Sequence, residues 1–325
     1  MTASSTRVGT STERPRVVPL QLGCCPSPPR CDLCARQHHL DAELVEAHLI
    51  AARDRHGGPL RATFFGGPPP SDELLEALEG VPFSVRVRPD LLSRAEARRL
   101  ADRGCEAVEL DALTLHDPSL RAVHRRYRGA LVLEMLKGLP SFGLRAGIVL
   151  APGLPRSSYE GVLDDAHAVA PLVSTARLHP VLVLQGSGLQ QVHMDGLYEP
   201  LSVAQAVTVC RGMMEVLEAH DVEVVRVGQN PSADELGRCV AGPDHSSLRE
   251  LVEAMRAREV VTALLAPMPV GQAVVVRCAP ADEARAHGPN HGNIVYWRSL
   301  GPFASVDVVP DPRLQRGMWR VEEAQ

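Results

Sequence analysis

Along the chain, short apolar runs alternate with segments whose apolar residues recur every three or four positions. The first run, Val17-Val18-Pro19-Leu20-Gln21-Leu22, is largely β-branched and reads as a strand. Asp41 caps a helix to Arg53, and Arg61 to Phe65 is a strand ending at Gly66-Gly67. Ser71 caps a helix through Glu79 with Leu74, Leu75 and Leu78 on one face. Phe83 to Val87 is the next strand, and Ser93 caps a helix to Arg103 that Gly104 stops. Strands follow at Ala107–Leu110, Leu144–Leu150, Thr175–Leu184 and Glu223–Val227. Between them lie at least one helix in Ser119–Ser141, a helix over Ser157–Ala170, and a long one over Ser202–His220.

Repeated strand–helix units predict a parallel sheet with right-handed crossovers, either a barrel or an open sheet. In both, chemistry collects at the carboxyl ends of the strands. The chain places Gly66-Gly67, Arg86, Arg88, Glu109, Pro152-Gly153 and Gly228 at such ends, with His179 inside its strand. After about Val260 the texture changes to short apolar runs with Pro/Gly turns, such as Ala273–Val276, Val306–Val309 and Trp319–Val321. The expected organisation is a disordered lead over 1–16, a barrel over 17–259 and a small β-rich extension over 260–325.

Composition narrows the function classes. Apolar residues make up 45% of the 325, enough for a large core, but only 3% are aromatic, so Leu, Val and Ala must fill it. Met213 and Met214 read as core filler. A net charge of −5 disfavours a dedicated nucleic-acid surface, although Arg121, His124, Arg125, Arg126 and Arg128 form a local basic concentration. No apolar run approaches the ~20 residues of a membrane span, and Met1–Arg16 has no hydrophobic segment that would make it a signal. Cys105, Cys210, Cys239 and Cys278 are scattered singly, which fits a reducing cytoplasm.

The remaining four cysteines lie within twelve residues, Gly23-Cys24-Cys25-Pro26-Ser27-Pro28-Pro29-Arg30-Cys31-Asp32-Leu33-Cys34. Three prolines bar a helix, so the stretch is a loop at the end of the first strand. Adjacent Cys24 and Cys25 do not comfortably share one ion, which leaves three usable thiolates. Three suit an iron–sulfur cubane with one open iron. With His38 or His39 as a fourth ligand, structural zinc is the alternative.

The chain resembles radical S-adenosylmethionine (radical SAM) proteins, most closely bacterial stand-alone relatives of the radical-SAM domain of the elongator catalytic subunit. The matching residues are Gly23, Cys25-Pro26, Cys31-Asp32-Leu33-Cys34, Phe64-Phe65-Gly66-Gly67, Val87-Arg88-Pro89-Asp90 and Val108-Glu109-Leu110. Ala151-Pro152-Gly153-Leu154-Pro155, Arg177–Ser187, Tyr198–Ser202 and Val225-Arg226-Val227-Gly228 continue the series in order. The resemblance implies an α/β fold, a partial (β/α)6 TIM-type barrel. It implies a [4Fe–4S] cluster on Cys25, Cys31 and Cys34, S-adenosylmethionine at the open iron, and its cleavage to a 5′-deoxyadenosyl radical that abstracts hydrogen from a substrate. Gly66 and Gly67 would pass close to the methionine end of SAM, Glu109 and Arg125 would lie near SAM, and Gly153 and Gly228 would flank the adenine. An electron donor such as a flavodoxin or ferredoxin is the implied partner.

Departures from the family pattern are concrete. Five residues separate Cys25 from Cys31 where the family has three, and Pro68-Pro69-Pro70 follows the glycine pair. The fourth strand ends Asp111-Ala112-Leu113-Thr114 where the family has a Gly-Val-Gln-Ser type sequence. Two further readings follow: a tRNA-modifying elongator-like enzyme, and a degenerate barrel with a structural cluster or zinc and no radical chemistry.

Overall fold

In the computed structural model of the chain, the described residues are 15–22, 33, 40–229, 237–269, 271–301 and 303–324. Six parallel strands follow one another in chain order: β1 Arg16–Gln21, β2 Leu60–Phe65, β3 Phe83–Val87, β4 Cys105–Leu113, β5 Arg145–Leu150 and β6 Thr175–Leu178. The sheet steps past a short β7, Val183–Leu184, to end on a seventh parallel strand, β8 Glu223–Val227. An order without reversal places every right-handed crossover on the same face, so the sheet curls into an open barrel instead of a doubly wound sheet. The partial barrel expected from the sequence is present, with seven parallel strands.

The two faces of the sheet differ as this winding demands. Ala62 and Phe64, Phe83, Val85 and Val87, and Val108, Leu110 and Ala112 are fully buried against the helices. Their alternating neighbours Thr63, Ser84, Arg86, Glu109 and Asp111 are only half-buried on the concave side. A sheet covered on both sides would read as continuous Val, Ile and Leu; only β5 comes close.

Helix starts obey the expected caps. Asp41 Oδ1 accepts from Leu44 N at 2.9 Å ahead of Ala42–His56, and Ser93 Oγ accepts from Glu96 N at 3.1 Å ahead of Arg94–Asp102. Ser202 and Gln205 close a capping box on Val203–Glu218. The Ser119–Ser141 region holds two helices, Asp117–Ala122 and Gly129–Gly138, joined through buried Tyr127.

The strand expected over Thr175–Leu184 breaks in two. Pro180 has no amide to donate, the main sheet ends at Leu178, and β7 turns away to pair antiparallel with β9, Cys239–Ala241. Beyond the barrel, helix Leu248–Leu265 leads to β10 Ala273–Cys278, flanked by parallel β11 Ser305–Pro310 and antiparallel β12 Trp319–Glu323. Helices Glu283–His287 and Gly292–Leu300 lie within this segment too, and the second carries fully buried Trp297. Met213 and Met214 are core residues, as their helix position predicts. Among the described residues, no helix is long and apolar enough to cross a membrane.

Candidate active site

On its concave face the sheet presents a charged layer. Register aligns Phe65, Arg86, Glu109, Gly147 and Thr175 across β2 to β6. Glu109 accepts from Arg86 Nε at 3.2 Å and from Arg177 Nε at 2.8 Å. Arg177 lies two strands away, so the carboxylate must cross β5, and it does so over Gly147. A Cβ there would come within 2.9 Å of Glu109 Cγ and 2.5 Å of Thr175 Oγ1. The glycine leaves room for the bridge. Arg86 also lies over the Phe65 ring at 5.8 Å.

His179 sits just past the end of β6. Its Nε2 is buried and has no hydrogen-bond partner among the described residues. Burial, together with the charges of Arg86, Arg177 and Arg226, drives its pKa down to about 3, so the ring is neutral. Arg226, on β8, donates from Nε to Gly228 O at 3.2 Å. Its pKa is lowered by burial first, then by repulsion from Arg177 and Arg86.

The next layer outward is bound internally. Arg125 is buried and pairs with Asp111 at 3.3 Å, while its basic neighbours Arg121, His124, Arg126 and Arg128 are exposed. Arg88 pairs with Asp90 at 2.6 Å. Asp111 thus has a defined role as the counter-ion of Arg125. Thr114, at the end of the same departure, donates to buried Asp165, which also accepts from Leu115 N at 3.1 Å. Burial raises the pKa of Asp165, and these two donors oppose it.

The glycines singled out from the sequence have local reasons visible in the structure. Gly66 has φ +150°, and a Cβ would stand 2.7 Å from Leu22 O, where the chain leaves β1. Leu22 N in turn donates to Phe65 O at 2.7 Å, so the tip of β2 is pressed against the root of the cysteine loop. Gly67 O accepts from Arg88 N at 3.1 Å. Gly153 and Gly228 also have positive φ, and their Cβ positions face Leu201 and Leu248. Gly153 lines a cleft of about 410 Å³ with Ser158, Tyr159 and Gln205 on the helical side, apart from the charged layer.

Gly66 and Gly67, Gly153 and Gly228 follow the carboxyl ends of β2, β5 and β8, whereas Glu109, expected at a strand end, stands in the middle of β4 because that strand runs on to Leu113, and Arg125 follows helix Asp117–Ala122. Cys24, Cys25, Cys31, Cys34, His38 and His39 lie outside the described residues. His287 and His291 meet edge to face, 4.9 Å between ring centroids, in the extension. Arg177, Arg226, Gly147 and Asp165 were not selected from sequence as site residues. The signal that would have found the two arginines is charge at the inner positions of strands whose other positions are Val, Leu and Ala.

A family model for the radical-SAM C-terminal domain matches residues 173–258. A tRNA uridine(34) acetyltransferase of Dehalococcoides mccartyi is 32% identical over 120 residues, 36% of this chain and 26% of that protein. A tRNA uridine(34) acetyltransferase of Methanocaldococcus infernus is 24% identical over 136 residues, 40% of this chain and 25% of its own. The chain thus spans about a quarter of the length of these relatives. Among solved structures, archaeal Elp3 from M. infernus with its N-terminus deleted superimposes with a TM-score of 0.61 at 19% identity, over 75% of this chain and 63% of that one. Coproporphyrinogen III oxidase (HemN) from Escherichia coli, described as a radical SAM enzyme, gives 0.51 at 16% identity, over 76% and 59%.

Proposed function

We propose that the chain is a radical SAM enzyme, holding a [4Fe–4S] cluster on Cys25, Cys31 and Cys34 and binding S-adenosylmethionine beside it, a reading supported by the family-model match and the likeness to archaeal Elp3. When bound, cluster and SAM supply a one-electron cleavage whose product, a 5′-deoxyadenosyl radical, takes hydrogen from a substrate; a flavodoxin or ferredoxin would deliver the electron. The observation that carries the reading is the contact of Phe65 and Gly66, at the carboxyl end of β2, with Leu22, the residue before the cysteine stretch, at the rim of a sheet whose concave side carries Arg86, Glu109 and Arg177.

The described residues fit such an occupant. Gly66 and Gly67 keep the rim beside the loop free of side chains, and Arg125 with Asp111 forms a rigid polar wall. Gly153 and Gly228 would border the adenine, and Glu109 would hold the inner arginines in register below SAM. The helices and the apolar back of the sheet exclude water from behind the layer.

A second reading, modification of tRNA, is favoured by the acetyltransferase relatives. The net charge of −5 weighs against it. The test is anaerobic reconstitution with iron and sulfide. The protein should turn brown with about four irons per chain, and Cys31→Ala and Cys34→Ala variants should lose the colour. Dithionite and SAM should then yield 5′-deoxyadenosine. A colourless zinc protein that makes none would overturn the proposal.

A further inference from the structure

The concave layer carries more positive charge than its own carboxylates balance. Arg86, Arg177 and Arg226 come from β3, β6 and β8, and all three act on the same imidazole, His179. Among the described residues, Glu109 is the carboxylate that pairs with Arg86 and Arg177, and Asp111 is held by Arg125. Arg226 has no carboxylate within ion-pair distance among the described residues; its Nε contacts only a backbone oxygen, Gly228 O. Among the described residues, three guanidiniums face one carboxylate, an excess of two positive charges.

Such an arrangement is costly to the fold by itself. Like charges in a partly buried site repel, and the pKa of Arg226 is lowered by burial first and then by Arg177 and Arg86. A buried polar atom without a partner carries a further penalty, and among the described residues His179 Nε2 is one. Both penalties vanish if an anion with oxygen acceptors enters. A planar guanidinium fork is also the side chain best matched to carboxylate or phosphate oxygens. Arg177 keeps 24% of its side chain exposed and Arg226 is half-buried, so both reach the open side of the layer.

We propose that this layer is the substrate subsite for a small organic dianion, held by Arg177 and Arg226 with His179 Nε2 completing the contact. This rests on the enzymatic reading above and adds to it the class of substrate: an acidic metabolite bearing carboxylates or a phosphate. The intramolecular Glu109 bridge fixes Arg86 and Arg177, and Arg226 is left for the ligand.

The test is an equilibrium titration of the full, anaerobically reconstituted chain at constant ionic strength, followed by thermal midpoint. Probes are succinate, glycerol 2-phosphate and the uncharged succinamide, with chloride as the ionic control. At least one dianion should raise the midpoint saturably while succinamide does not; succinate alone responding assigns a dicarboxylate, and the phosphate ester alone a phosphate. Arg226→Gln should weaken that binding at least tenfold, with an unchanged far-ultraviolet circular dichroism spectrum. Should Arg226→Gln not fold, Arg226→Lys keeps the charge, loses the fork, and should bind severalfold more weakly. No dianion response above chloride, or undiminished affinity in both variants, overturns the proposal. So does displacement of the dianion by SAM with a matching loss of SAM affinity in Arg226→Gln, since the cations would then serve SAM's carboxylate. The binding arm needs no turnover. A chain that binds the dianion but makes no 5′-deoxyadenosine refutes the radical reading alone, and one that makes it without binding refutes this one alone.

Discussion

Glu109 lies across Gly147 and ties together two arginines from strands on either side of it. Removing one partner of a buried ion pair leaves the others uncompensated, typically at ~3–5 kcal/mol. Glu109→Gln should therefore lower urea stability by about that amount, and a loss under ~1 kcal/mol would show that water already screens the cluster. His179 gives a pH signature. Its pKa falls from an ordinary 6.5 to about 3 on folding, so between these values the unfolded chain binds more protons than the native one. The contribution to stability is thus complete above about pH 6.5 and is lost as pH falls toward 3, at ~1.4 kcal/mol per unit. The charges facing the ring are Arg86, Arg177 and Arg226. In His179→Phe the decline of unfolding free energy over that window should be shallower than in the parent; parallel curves would refute a buried neutral ring. Glu109 was legible from sequence as a site carboxylate, although it stands in the middle of β4 and not at its end. Its bridge to Arg177 was not, because the two meet only when β4, β5 and β6 lie side by side and Gly147 leaves room between them.

At the scale of elements, most of the barrel can be read from caps and alternation: Asp41, Ser71, Ser93 and Ser202 start their helices as their chemistry predicts. Local pattern failed where tertiary pairing decided. The apolar run after Pro180 looks like continued β6, yet its backbone is recruited by Cys239–Ala241. Helices Glu283–His287 and Gly292–Leu300 were hidden among Pro/Gly-rich turns that read as a β-extension. Gly66 joins two elements and gives a sharper test. Gly104 also has positive φ, at +87°, but open space around its Cβ position, so Gly104→Ala should cost only the left-handed penalty of ~1–2 kcal/mol. Gly66→Ala meets Leu22 backbone atoms at 2.7 and 2.9 Å, which can yield only if β1 shifts. It should cost clearly more in urea denaturation and also reduce iron uptake on reconstitution, since Leu22 is the last residue before the cysteine loop. Equal costs at the two positions would mean that the β1–β2 tips are not in contact.

At the scale of the whole molecule, the expected boundary near residue 260 falls inside one continuous helix, Leu248–Leu265. Leu248 and Val252 belong to the barrel core, while Val261 and Leu265 pack with Trp297, Val274, Val276 and Val306 in the extension. A helix is stiff over its ~27 Å length, so melting one half exposes residues that the other half's core needs. The two cores should therefore unfold together. Fluorescence separates them conveniently, because both tryptophans, Trp297 and Trp319, lie in the extension, whereas circular dichroism is dominated by the barrel helices. Trp297 is fully buried, and Trp297→Ala should cost ~3–5 kcal/mol through lost burial and the cavity left behind. If the helix couples the cores, urea curves for the variant, followed by Trp319 fluorescence and by circular dichroism, should shift together and coincide. A fluorescence transition that runs ahead of an unshifted dichroism transition would mean instead that the extension unfolds by itself and that the shared helix transmits nothing to the barrel.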